Sequence, residues 1–191
     1  GFLFPGQRYR AMSMPPMRRW AGLRLLLLLC LASACRPSPP DPQLVEQWLR
    51  TSLAFVRTEL LGPPVAARIS AYASIALYEG YAADPRSRLR SLAGQVNGLW
   101  SVPVVAGDRA IDGATVAAEA ERVVMDSLFS EGFPGTRRSI DSLADAQIEA
   151  RRRAGVKGDL RERSVAHGRA LAKTILAWAS TDGFFATRGR A

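Results

Sequence analysis

The chain has 191 residues, 48% of them hydrophobic and 23% charged, which is the make-up of one ordinary globular domain and excludes a disordered chain. Its formal charge of +9 invites a nucleic-acid partner, but all 17 acidic residues lie after Cys35 with 21 of the 26 basic ones, so residues 36–191 carry only +4. The excess belongs to Arg8, Arg10, Arg18, Arg19 and Arg24 near the amino terminus, and no nucleic-acid partner is expected.

Residues 1–11 hold no Met and no pattern, so Met12, Met14 and Met17 are the candidate starts. Arg18, Arg19 and Arg24 form a positive segment ahead of the apolar run Leu25 to Leu31. That run is too short for a bilayer core, which needs roughly 20 residues, and it has the anatomy of a signal peptide. It closes in Leu31-Ala32-Ser33-Ala34-Cys35, which resembles a bacterial lipoprotein cleavage box, although Ala32 stands where Leu is usual. Residues 1–35 are therefore expected to be a leader with lipidation at Cys35. Ordinary secretion and an uncleaved anchor are the alternatives, and each of the three takes the chain out of the cytoplasm, to the periplasmic side of a bacterial membrane or beyond it. Cys30 lies in the apolar run and Cys35 would carry lipid, so no internal disulfide is expected. Residues 36–42, Arg-Pro-Ser-Pro-Pro-Asp-Pro, read as an extended proline-rich tether.

Beyond the tether the patterning is helical throughout. Asp41-Pro42 is a start signal, and Val45, Trp48, Leu49, Ser52, Leu53, Val56 and Leu60 recur at helical spacing before Gly62, predicting a helix from Pro42 to Leu61. Pro63 to Tyr81 has only Arg68 and Glu79 as charges and predicts the buried central helix, stopping near Asp84-Pro85. Trp100 to Asp112 reads as a loop with a Gly107-Asp108 turn. Helices are then predicted over Gly113 to Ser130, with Val116, Ala120, Val123, Val124, Leu128 and Phe129 on one face, and over Thr136 to Ala154, with Ile140, Leu143, Ala144 and Ile148 inward. A last helix is capped by Asp159 and runs to Asp182-Gly183, burying Val165, Ala172, Ile175, Leu176 and Trp178 or their neighbours, with Gly183 in the left-handed position after it. No strand alternation is visible. The fold expected is all-α, a bundle of about five helices.

The chemical inventory is thin. His167 is the only histidine, which excludes a multi-histidine metal site and reads as a surface or hydrogen-bonded helical residue. Ser164 has no nucleophile elbow around it and reads as a helical first-turn residue. Arg151 to Arg153 read as a solvated helix end, with anion or headgroup contact as the alternative. Trp48, Trp100 and Trp178 read as core. No phosphate-cradling glycine loop occurs.

Several features recur in an order that carries a resemblance. They are Trp48, then Pro63-Pro64-Val65-Ala66-Ala67-Arg68, then Tyr78-Glu79-Gly80, and finally Ser164, Gly168, Ala172, Ile175, Trp178 and Asp182-Gly183 at fixed spacing. Residues 43–185 resemble the N-terminal half of bacterial proteins similar to vanadium-dependent haloperoxidases, within the type 2 phosphatidic acid phosphatase superfamily. The resemblance implies phosphomonoester hydrolysis or vanadate-dependent halide oxidation, with vanadate as the cofactor in the second case. It also implies an oxyanion pocket built from a Lys followed by Arg-Pro, a Pro-Ser-Gly-His and a Ser-Arg with a later His. Such a pocket works because cations and a backbone N–H neutralise equatorial oxygens while one His attacks phosphorus or ligates vanadium.

None of these motifs is in the chain. Lys157 and Lys173 are the only lysines and neither precedes Arg-Pro, Pro37-Ser38 is followed by Pro39, and Ala166 precedes His167-Gly168. Ser87-Arg88 begins the third motif, but Gly94 stands where its His would fall. No catalytic, cofactor-binding or metal-binding residue can be carried over, so Cys35 is the one site residue expected. The chain is read as a catalytically incomplete portion of an exported protein, with residues 186–191 a truncated end and a missing catalytic half as its partner. Faces meant for that half predict association of the chain with itself. The alternative is a non-enzymatic helical envelope lipoprotein that binds a partner.

Overall fold

The structure is a computed structural model that describes Gly1, residues 41–107 and residues 109–187, without the side chains of Phe185 and Thr187. The predicted leader, Cys35, most of the tether, Asp108 and residues 188–191 lie outside the described residues. The chain divides into two units, Gly1–Arg36 and Pro37–Ala191, and only the second is treated below.

Among the described residues the architecture is all-α. Five long helices, α1 (Pro42–Thr58), α2 (Pro63–Ala82), α3 (Gly113–Leu128), α4 (Pro134–Arg153) and α5 (Gly158–Ala179), are followed by a single turn, α6 (Phe184–Thr187). No described helix is long and apolar enough to cross a membrane.

Asp41 caps α1 by accepting hydrogen bonds from the Gln43 and Leu44 N–H groups at 3.0 and 3.5 Å, and its own N–H donates to Tyr81 Oη at 3.1 Å. The helix stops earlier than its apolar pattern predicts. Leu60 takes a left-handed φ of 53°, with its N–H bonded to Arg57 O and the Leu61 N–H bonded to Val56 O. That is a Schellman stop built on a non-glycine residue, while Gly62 keeps φ −66° as the N-cap of α2. Trp48 and Ser52 of the predicted stripe are buried, but Leu44 and Phe55 complete the inward face in place of its other members. The two largest side chains set the rotation, which leaves Leu49 41% and Leu53 54% exposed.

The centre of the bundle is α3, not the predicted Pro63 to Tyr81. Every residue from 111 to 121 is buried. Helix α3 packs most extensively on α5 and α2, then on α4. It contributes to both apolar clusters, one with α1, α2 and α4 and one with α2, α5 and the loop before α3. Helix α2 is buried mainly in its second half, from Tyr72 to Tyr81, while Ala67, Ser70, Ala71 and Ser74 face outward. Glu119, Glu121 and Arg122 disguise the central helix in the sequence, and small apolar residues on the outer face of α2 imitate one.

Two glycines allow this packing. A Cβ on Gly80 of α2 would lie 2.4 Å from Ala117 Cα, and one on Gly168 of α5 would lie 2.8 Å from Val116 O and 2.9 Å from Glu119 Cβ. Backbone therefore meets backbone on both flanks of α3, and no side chain can be swung aside to make room.

Smaller corrections follow from local chemistry. Helix α3 ends at Leu128, and α4 begins at Pro134, a residue that suits the first turn. Lys157, not Asp159, is the N-cap of α5, and Asp159 sits in the first turn where its charge favours the helix dipole. Helix α5 ends at Ala179 with Ser180 as its cap; Gly183 is left-handed at φ 75° but precedes α6 instead of closing α5. Its buried face is Ser164, Gly168, Leu171, Ala172, Ile175 and Ala179, with Trp178 half-buried.

Gly80→Ala and Gly168→Ala are each expected to destabilise the chain by about 1–3 kcal/mol through overpacking. Gly135→Ala, where a Cβ meets nothing within 4 Å, should be neutral or slightly stabilising. Urea unfolding midpoints check all three.

Candidate functional site

The polar side chains of the interior gather along α3, and its amino terminus is the densest point. Asp112 caps that helix, its carboxylate accepting from the Thr115 N–H at 2.9 Å and from Thr115 Oγ at 2.7 Å. Arg151, at the end of α4, donates to both Asp112 oxygens at 2.6 and 3.0 Å. The Asp112 N–H donates to Ser164 Oγ at 2.8 Å, and Ser164 in turn donates to Leu160 O at 2.7 Å. One residue thus ties α3 to α4 and α5. Beside it Asp84 receives Arg86 at 2.8 and 3.0 Å and the Gly113 N–H at 3.3 Å.

Burial works against ionising Asp112 and Asp84. Arg151 with Thr115 in one case, and Arg86 with the Gly113 N–H in the other, more than offset it and hold both carboxyls below the usual aspartate range. Two turns further along, the fully buried Glu119 accepts from Arg122 of its own helix and from Arg169 of α5 at 2.6 Å. Glu79 of α2 is buried too, and it accepts the Leu92 N–H, pinning the loop that follows α2.

At the opposite end Arg68 of α2 donates to Asp182 at 2.6 Å and to Ala179 O at 3.2 Å, while Tyr72 Oη donates to Asp182 at 3.0 Å. The Arg68 guanidinium also stands over the Tyr72 and Phe184 rings. Burial and the Asp182 carboxylate push the Tyr72 hydroxyl up to about 12. This cluster closes α2 onto the end of α5 and borders a cleft of about 280 Å³ that also reaches Ser127, Ser130 and Glu131.

The residues singled out in the sequence fall into these clamps rather than into one pocket. Ser164 is buried and bonded within the fold. His167 is half-buried rather than a surface residue, its Nε2 has no hydrogen-bond partner, and burial lowers its pKa. Of the arginine triplet, Arg152 and Arg153 pair with exposed Glu149, while Arg151 turns inward to Asp112, which neither sequence expectation foresaw. Trp48 is fully buried; Trp178 stands edge-on to Tyr72 and donates to Asn97 O at 3.1 Å; Trp100 is 76% exposed and is not core. Arg68, Gly80, Ser164, Gly168 and Asp182, all part of the resemblance, prove to be contacts that hold helices together, and Glu79 holds the loop after α2.

Sequence reasoning missed the carboxylates Asp84, Asp112 and Glu119. Asp112 had a signal, since an Asp just before Gly-Ala-Thr at a helix start is an N-cap pattern.

The donor set does not suit a vanadate or phosphate oxyanion. Arg68, Arg86, Arg122 and Arg151 each face a carboxylate, and the nitrogen of His167 that lacks a partner is buried. Among the described residues no group of His, Cys, Asp and Glu is arranged to hold a metal ion either. What the arrangement does chemically is neutralise buried charge across helix contacts.

Asp112→Asn keeps the cap but removes the charge facing Arg151, and should cost about 3 kcal/mol at neutral pH, the low end for a broken buried pair because Arg151 retains access to water. The pH dependence has a fixed sign. Depressed folded-state pKa values at Asp84 and Asp112 add stability above the unfolded value near 4, and this is lost as pH falls through the folded values. The acid limb of a stability profile should therefore be shallower in Asp112→Asn.

No family model matches the chain, and no curated protein matches it. Among solved structures it is similar to one described as the first bacterial vanadium-dependent iodoperoxidase, with a TM-score of 0.67 and 28% identity over 82% of this chain. The match covers 36% of that protein, so the chain spans little more than a third of its length. With five packed helices and no strand among the described residues, the fold is vanadium haloperoxidase-like.

Proposed function

We propose that the chain is the helical scaffold portion of an exported vanadium haloperoxidase-like or acid phosphatase-like protein and is inactive alone. The similarity to the iodoperoxidase, covering most of this chain and 36% of that one, carries the reading. The commitment of Arg68, Arg86, Arg122 and Arg151 to carboxylates supports the second half of it, because none of these four guanidiniums is left to neutralise a bound oxyanion. In this reading the oxyanion-binding Lys, Arg and His come from sequence outside these 191 residues, and vanadate or phosphate binds there. Export rests on the leader ending at Cys35, where lipid would anchor the chain to a membrane.

The apolar wall between α1 and α2 fits the same reading. Val45, Leu49, Leu77, Tyr78, Tyr81 and Leu89 line a cleft of about 270 Å³ with little polar surface, of the kind expected where further protein packs. The alternative, an envelope lipoprotein without enzymatic activity, would use that wall to bind a partner.

The purified 191-residue chain should neither hydrolyse p-nitrophenyl phosphate nor oxidise iodide or bromide with vanadate and peroxide. Turnover in either assay overturns the proposal. Reading the DNA past Ala191 should reveal an in-frame Pro-Ser-Gly-His, whereas an immediate stop codon favours the alternative.

A further inference from the structure

Glu121 lies on α3 one turn after Ala117 and one turn before Met125, and it is fully buried with neither carboxylate oxygen hydrogen-bonded. Two other buried groups in the same cluster of helices lack partners: the Trp48 indole N–H on α1 and Gln147 Oε1 on α4. Contacts between the helices bring Trp48 and Glu121 to one level, with Gln147 nearer the amino terminus of α3, where Arg151 one turn on holds Asp112. Ser52 Oγ reaches Met125 Sδ at 3.7 Å, and Phe55 meets Phe129 edge-on at 5.6 Å, so α1 and α3 run parallel and one turn earlier Trp48 falls opposite Glu121. Helix α4 runs antiparallel to α1, because Thr136 donates to Glu59 while Gln147 donates to Leu44 O at 3.4 Å and to Gln47 at 3.0 Å.

None of these groups is bonded to another, so an ionised Glu121 would stand in the interior with no answer from protein. A carboxyl in that position avoids the cost of a bare buried charge by keeping its proton. We infer that Glu121 is a neutral acid in the folded chain and that docking of α1 and α4 on α3 is thereby coupled to proton uptake.

The surrounding charges do not compensate an ionised Glu121. On α1, Glu46 and Arg50 pair in solvent; on α2, Glu79 accepts the Leu92 N–H and Tyr81 engages Asp41. On α4, Asp141 lies 3.8 Å from Arg122, which also holds Glu119, and on α5 His167 has a burial-lowered pKa of its own. Burial alone raises Glu121 well above the usual glutamate value, in the direction that the geometry requires.

The sign follows from linkage. The folded chain keeps a proton that the unfolded chain releases above about pH 4.5, so this stability is complete below that pH and is lost as pH rises toward the folded value. Glu121→Gln is neutral throughout. The unfolding constant of the natural chain, divided by that of the variant, should therefore rise about tenfold per pH unit above pH 4.5, with the His167 contribution cancelling in the ratio. Infrared spectroscopy of the 191-residue chain at neutral pH gives a test that needs no variant to fold. A protonated-carboxyl C=O band should be present and should be absent in Glu121→Gln. No such band in the natural chain, a band that survives Glu121→Gln, or a ratio flat with pH overturns the inference.

Discussion

Helix α3 is gripped between α2 and α5 at two points where only hydrogen fits, Gly80 against Ala117 and Gly168 against Val116 and Glu119. That closeness dictates what else α3 can carry. With backbones in contact on both flanks, the polar groups of residues 111 to 121 lose water, and each must be answered from a neighbouring helix. Arg151 of α4 answers Asp112, Arg169 of α5 answers Glu119 and Ser164 of α5 receives the Asp112 N–H. The salt bridges are thus consequences of the packing, and they fix which helix sits beside which. Glu121 alone has no answer of this kind, and a proton on its own carboxyl supplies what a partner supplies elsewhere.

The same economy bears on function. An oxyanion site needs cations whose charge is not spent, and here the inward guanidiniums are spent on carboxylates. Arg68 illustrates this. It belongs to the pattern that gave the resemblance, yet it holds Asp182 and stands over Tyr72 and Phe184, closing α2 on the end of α5. The residues that carry the resemblance are ones that hold this fold together, and none of them leaves a cation free for an oxyanion.

Much of this was legible in the sequence. The all-α class and five helices follow from apolar periodicity and from start signals such as Asp41-Pro42. Rotations and the choice of centre were not legible. Leu49 and Leu53 carry the same periodicity as Trp48, and only the volume of Trp48 and Phe55 decides which face turns inward. Apolarity pointed to Pro63–Tyr81 as the centre, because a charged residue reads as exposed until its partner is known, and the partners of Glu119 lie 3 and 50 residues away. Of the polar clamps, Asp112 advertised itself as a cap, whereas its pairing with Arg151, 39 residues on, could come only from the fold.

Titration of the purified 191-residue chain with orthovanadate, followed by calorimetry, tests most directly whether this scaffold lacks an oxyanion site of its own. No saturable binding is expected. A one-to-one isotherm, lost when Arg68 or Arg151 is replaced by Met in a chain that still folds, would contradict it.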